Sequence, residues 1–259
     1  MARARQAGRF LTLLLLKRWL LAFITPRPLI GVLYLPRYIG HWFRFSAASP
    51  PALQPQLADS YPCLTDWVPA TPFDPHYFHQ GAWLARCLQE RNCLAHVDVG
   101  SSVMMVGVMS AHVPTVFLDF RPLQVTLHNL LCVAGDILHL PFADKSVMSL
   151  SSLHVIEHIG LGRYGDPLNV QGSIKAAHEL ARVLAPGGVL YVSVPTGRDR
   201  VCFNAHRVFS PDALKAMFAP LVCTAFALVD DAGRFHPQGN GKAAAQLEYG
   251  CGMYVFSKF

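Results

Sequence analysis

At 259 residues, 52% of them hydrophobic and 15% charged, the chain can build one α/β domain with a large core plus an extension, and it is too apolar for disorder to dominate. Its net charge is +6, but residues 1–45 carry +8 and no acid; the remainder is −2, which argues against a nucleic-acid-binding face on the folded domain. Seven scattered cysteines (Cys63, Cys87, Cys93, Cys132, Cys202, Cys223 and Cys251), with no Cys-x-x-Cys pair, point to a reducing compartment, with neither a disulfide framework nor a zinc site.

Residues 1–56 read as a basic, apolar extension with a linker. Phe10–Ile24 is apolar but is cut by Lys17-Arg18 and falls short of the roughly 20 apolar residues of a spanning helix. The same pair splits the apolar run that a signal peptide needs. Trp19, Tyr34, Tyr38, Trp42 and Phe43 interleave with arginines. Such a mixture suits the headgroup level of an anionic membrane, and equally an arm packed on a domain. The expected location is cytoplasmic, with the arm on the inner face of the membrane as one reading. Ser46–Gln56, with three prolines, reads as the linker, and residues 57–259 as the domain.

Within that domain, Asp74 followed by Pro75 opens a helix through Glu90. Its Tyr77, Phe78, Trp83 and Leu84 are either core or a lid over a pocket. Ala95–Gly100 (Ala-His-Val-Asp-Val-Gly) reads as a buried strand ending in a tight turn, with Ser101 and Ser102 leading into a helix over Val103–Ala111. Asp98 is expected to present its carboxylate to a ligand there. Thr115–Phe120 is a second strand tipped by Asp119, where a carboxylate can grip the two hydroxyls of a ribose. Leu131–Ala134 is a third, followed by Gly135-Asp136-Ile137, and Val147–Leu153 a fourth, running into His154-Val-Ile-Glu157-His158. A helix over Ser173–Leu184, a strand over Val189–Val194, a helix over Ser210–Phe218, and strands over Leu221–Val229 and Gly252–Phe256 complete the chain, with a glycine-rich loop at Asp231–Lys242.

These pieces together resemble a class I S-adenosylmethionine-dependent methyltransferase. Four segments carry the likeness in order: Val97-Asp98-Val99-Gly100-Ser101, Asp119, Gly135-Asp136-Ile137 with Leu140-Pro141-Phe142, and Leu180-x-Arg182-Val183-Leu184-x-Pro186-Gly187-Gly188. More narrowly, Ser149–Gly165 is similar to methyltransferase-like proteins catalogued as a domain of unknown function. The resemblance covers about residues 74–259. It implies a Rossmann-like seven-stranded α/β sheet with an antiparallel last strand, and S-adenosylmethionine as cofactor. It also implies Gly100 and Ser101 near the methionine part, Asp119 on the ribose, and Asp136 with Ile137 at the adenine; Asp98, Ser102, Phe120, Arg121 and Leu153 complete the expected cofactor contacts. The loop departs from the alternating glycines of the superfamily, since Ser101-Ser102 follows Gly100.

For catalysis the candidates are His154, Glu157 and His158. At i, i+3 and i+4 of a helix they would share a face and look into one pocket, and histidine is the usual base near neutral pH. A metal role for this trio is disfavoured because no further ligand stands at a suitable spacing. Arg163, Tyr164 and His206 are candidate substrate contacts, with Asn204 and Arg207 near the same mouth. The leading function is methyl transfer to a small-molecule, glycan or lipid-linked acceptor. The alternative is a non-catalytic relative that binds a nucleoside or a protein partner. A nicotinamide dehydrogenase is disfavoured because Gly100-Ser101-Ser102-Val103-Met104-Met105 lacks Gly-x-Gly-x-x-Gly.

Overall fold

The computed structural model describes residues 30–259; the expectation for Phe10–Ile24 lies outside the described residues. Two compact units divide at Pro72/Phe73. In the first, α1 (Leu35–Ala48) extends into the expected linker, because Gln54 Nε2 donates to the carbonyls of Ser46 and Ser49 at 2.9 and 2.8 Å and satisfies the helix end. Residues 57–72, read from sequence as part of the domain, make their contacts in this unit instead: the Arg37 guanidinium lies 4.4 Å from the Trp67 ring centroid and donates to the Leu64 carbonyl. No helix among the described residues is long and apolar enough to cross a membrane.

The second unit contains α2 (Pro75–Glu90), β1 (His96–Val99), α3 (Val103–Met109), β2 (Thr115–Asp119), β3 (Leu130–Ala134) and β4 (Val147–Leu153). Then come α4 (Gly172–Val183), β5 (Leu184–Thr196), the small hairpin β6 (Arg200–Cys202) and β7 (His206–Val208), and α5 (Pro211–Met217). The chain ends with β8 (Val222–Val229), β9 (Phe235–His236), α6 (Gly241–Ala244) and β10 (Gly250–Ser257). Asp74 caps α2 as expected, its Oδ1 accepting from the His76 and Tyr77 amides at 2.9 and 3.2 Å.

The sheet order is β3-β2-β1-β4-β5-β10-β8-β9. The first five strands run parallel to one another, and β10 inserts antiparallel to both β5 and β8. Eight strands are present rather than seven: within the expected glycine-rich loop, β9 pairs Phe235 with Val229 and His236 with Leu228. The start of β5 also differs from expectation. It begins at Leu184 because Pro186–Gly188 form an irregularity between the Val147↔Leu184 and Ser149↔Val189 pairs, with Gly187 at φ +76.

Alternation along β5 divides the core. Leu190, Val192 and Val194 pack with Leu180 and Val183 of α4 and Phe218, while Tyr191 faces Leu84 and Leu88 of α2. The parallel register sets the strand tips side by side: Gly100 N donates to Leu118 O (2.8 Å), and Gly135 N to Asp119 O (3.1 Å). The turn after β1, the acid ending β2 and the turn after β3 therefore meet on one edge.

Candidate active site

Along that edge lies a cavity of about 360 Å³ lined by Gly100, Ser101, Ser102, Asp119, Asp136 and His158 among others, within the range of small-ligand pockets. Gly100 has φ +73, and a Cβ there would meet Val155 at 3.0 Å and Asp119 Oδ2 at 3.8 Å. Only glycine gives both the turn and the close approach. Asp119 Oδ1 accepts from the Arg121 amide at 2.7 Å, leaving its other oxygen toward the cavity side. Asp136 Oδ1 accepts from Leu138 N at 2.9 Å, a local turn that sets Ile137 and Leu138 in the wall. Phe120, Arg121, Ile137 and Leu153 also line the cavity, and Ser101 Oγ is fixed by Leu153 N at 2.9 Å.

Among the residues expected at the cofactor, Asp98 alone does not line the cavity. Strand alternation turns it onto the same sheet face as His96, where it is wholly buried and outside the cavity lining. Its Oδ1 accepts from Ser101 N (3.1 Å) and its Oδ2 from Ser151 Oγ. Asp98 thus shapes the turn and does not face the cavity. Ser151 Oγ also lies 2.8 Å from His96 Nε2, and His96 Nδ1 lies 2.8 Å from Ser149 Oγ, giving a closed buried network. Burial raises the Asp98 carboxyl to about 6 against the pull of its hydrogen bonds, and burial lowers His96 to about 3.

Residues 154–158 form a turn, not the expected helix, and His154 has φ +55. The shared helical face is therefore replaced by a different convergence. Glu157, wholly buried, lies between the two histidines, its Oε1 2.9 Å from His154 Nδ1 and 3.7 Å from His158 Nε2. Neither carboxylate oxygen has a well-directed hydrogen bond; the contact with His154 is close in distance but poorly aligned. His154 Nε2 lies 3.3 Å from Cys251 Sγ, so both ring nitrogens are engaged. Burial disfavours the charged His154 ring, yet Cys251 and Glu157 together raise it to about 10. His158 differs. Its Nδ1 meets Ala205 O at 2.6 Å, it lines the cavity, and burial lowers its pKa against the opposing Glu157 and Ala205.

A roof covers the cavity. Tyr164 stacks under the Arg121 guanidinium at 4.5 Å and meets His158 edge-on at 5.5 Å. From the other side Tyr77 of α2 lines the cavity, the lid alternative for that helix, while Leu84 is core. Asp166 ties the loop by accepting from Gly160 N at 2.6 Å. Arg163 does not line the cavity; it donates to Ala205 O at 3.0 Å. His206 does not line it either, but packs against Tyr249 with ring centroids 4.9 Å apart. Arg207 is a brace below the loop, buried and donating to Ile159 O (2.7 Å), Ser173 Oγ (3.0 Å) and Asn169 O (3.3 Å). Val155 and Asn169 of the lining escaped the sequence reading; Val155 packs against the Gly100 turn, and Asn169 is held by its amide donating to the Gly160 carbonyl at 3.0 Å.

Residues 142–228 match a family described as "Caenorhabditis protein of unknown function, DUF268". No curated protein matches the chain in sequence. Among solved structures, the chain is similar to the N-methyltransferase NodS from Bradyrhizobium japonicum WM9 in complex with S-adenosyl-L-homocysteine. That likeness has TM-score 0.52 and 16% identity, and covers 71% of this chain and 88% of that one. It is also similar to the [4+2]-cyclase SpnF, with TM-score 0.50, 16% identity, and coverage of 68% and 80%. The second unit thus has the Rossmann-like fold of class I S-adenosylmethionine-dependent methyltransferases, and part of it matches an uncharacterised family.

Proposed function

We propose that the domain binds S-adenosylmethionine in this cavity and directs its methyl group to a nucleophilic atom of a small-molecule, glycan or lipid-linked acceptor. The observation that carries the reading is the meeting of the Gly100 turn, Asp119 and Asp136 on one edge of a parallel sheet, around a cavity of suitable size. The free oxygen of Asp119 is suited to ribose hydroxyls, Asp136 with Ile137 to the adenine edge, and the Gly100–Ser101 turn to the methionine tail. When bound, the cofactor supplies an electrophilic methyl carbon for in-line displacement. The chain's part is to hold the acceptor in line and remove its proton.

Of the two histidines, His158 is the better base. Its Nδ1–H is directed at Ala205 O, which leaves the Nε2 lone pair to take the acceptor's proton, with Glu157 near enough to stabilise the resulting imidazolium. His154 has no free ring nitrogen.

In the first unit, Leu35, Ile39 and Phe43 repeat at i+4 on α1 and are exposed, which supports contact of the basic arm with an anionic membrane at the cytoplasmic face. Sedimentation with anionic liposomes tests this; equal recovery of the full chain and of residues 47–259 refutes it.

The test of the main reading is calorimetry with S-adenosylmethionine and S-adenosyl-L-homocysteine. Both should bind, and Asp119→Ala should weaken binding about 10- to 100-fold, the worth of a charged hydrogen bond. Absence of binding refutes the reading. A second reading, nucleoside binding without methyl transfer, is favoured by Ser101-Ser102 at the glycine loop. Binding without transfer of radiolabel to any fraction of a cell extract would select it.

A further inference from the structure

At the margin of the cavity, which His154 itself lines, three residues far apart in the chain come together: His76 in the first turn of α2, His154 just after β4, and Cys251 in β10. Their donor atoms all lie within 4.8 Å of one another, and His154 Nε2 is 3.3 Å from Cys251 Sγ. We propose that His76, His154 and Cys251 form a binding site for a zinc-class divalent cation that clasps α2 to the sheet beside the cavity.

The spacing fits the ion. With metal–nitrogen distances near 2.0–2.1 Å and metal–sulfur near 2.3 Å, neighbouring donors of a tetrahedral site lie about 3.5 Å apart. The His154–Cys251 pair is close to this separation; the His76 ring, half-buried on α2 and stacked 5.7 Å from the His154 ring, must turn to bring its nitrogen onto the ion. The donor types decide among metals: two imidazoles and a thiolate suit zinc and related ions, whereas magnesium and calcium take oxygen ligands. Three protein ligands leave a fourth position for water or another ligand.

A second observation points the same way. Glu157 is wholly buried with neither carboxylate oxygen in a well-directed hydrogen bond, a costly arrangement in a low-dielectric interior. Its Oε1 lies 2.9 Å from His154 Nδ1. A carboxylate behind a ligating imidazole fixes the tautomer that offers Nε2 to the metal, and a cation beyond the ring offsets the buried negative charge. Sequence spacing could not reveal the site, because 97 positions separate His154 from Cys251.

The test uses the full chain, freed of any histidine tag. After equilibration with zinc chloride and exhaustive dialysis, elemental analysis should find about one zinc per chain, and Cys251→Ala and His76→Ala should each lose it. Cobalt substitution of the wild-type chain should give a thiolate-to-cobalt charge-transfer band, a readout that needs no variant to fold. Glu157→Gln should weaken zinc affinity about 10- to 100-fold. Retention of no zinc, a cobalt spectrum without the thiolate band, or equal zinc content in wild type and both alanine variants would overturn the site. None of these readouts depends on methyl transfer.

Discussion

The buried network below the first turn gives the sharpest quantitative expectation. Asp98→Asn removes an ionisable group while keeping the side-chain shape. In the fold the carboxyl is held at about 6 against an ordinary 3.8, because burial penalises its charge more than Ser151 and Ser101 stabilise it. A folded-state pKa above the unfolded one means that the fold favours the protonated acid. Its contribution is complete below about 3.8 and is lost as pH rises through about 6. At 1.36 kcal/mol per tenfold, ionised Asp98 costs the fold about 3 kcal/mol at high pH, with no discount for solvent because the group is wholly buried. About half of that cost, some 1.4 kcal/mol, develops between about pH 5 and about pH 8. Asparagine can keep the bond from Ser101 N, and its amide can donate to Ser151 Oγ if the hydroxyl turns toward His96. Urea unfolding of wild type and Asp98→Asn at both pH values should therefore show the variant gaining on wild type by about 1.4 kcal/mol as pH rises. A stability difference that is the same at both pH values would refute the account of Asp98 as a buried, neutral-favouring acid.

Four further outcomes follow from the site. His158→Asn keeps a donor for Ala205 O but removes the base, so turnover should fall about 10²- to 10⁴-fold with the affinity for S-adenosyl-L-homocysteine unchanged by calorimetry. Burial lowers the His158 pKa, so wild-type kcat/KM should decline only as pH falls below the usual histidine value of 6.5, through the folded pKa, where the ring protonates; a pH–rate profile with no acid limb in wild type would count against the base. Gly160→Ala would set a Cβ 2.1 Å from Asn169 O at φ +81, so thermal unfolding should report a loss of about 1–3 kcal/mol or more. Arg207→Met leaves the Ile159 carbonyl without its buried donor, while the Asn169 carbonyl keeps the Gly172 amide; the change should cost about 1–3 kcal/mol in urea unfolding, with a raised KM for acceptor as the loop loosens.

Sequence alone determined the order of the main strands and helices and the sheet edge on which the ends of β1, β2 and β3 meet. Local rules suffice there: Asp74-Pro75 opens a helix, apolar runs of strand length end at glycine or aspartate, and a parallel sheet must carry those ends on one side. Gly100, Asp119 and Asp136 were legible for that reason. Tertiary structure decided what depends on side-chain direction and on distant partners. Asp98 looked like a ligand contact until alternation paired it with Ser151 across the sheet. His154 and His158 looked equivalent until a left-handed residue at 154 broke the helix and β10 brought Cys251 to one ring while Ala205 took the other. Strand β9 and the His76–His154–Cys251 cluster had no local signal, since each is formed by segments that the chain's periodicity does not relate and only packing brings together.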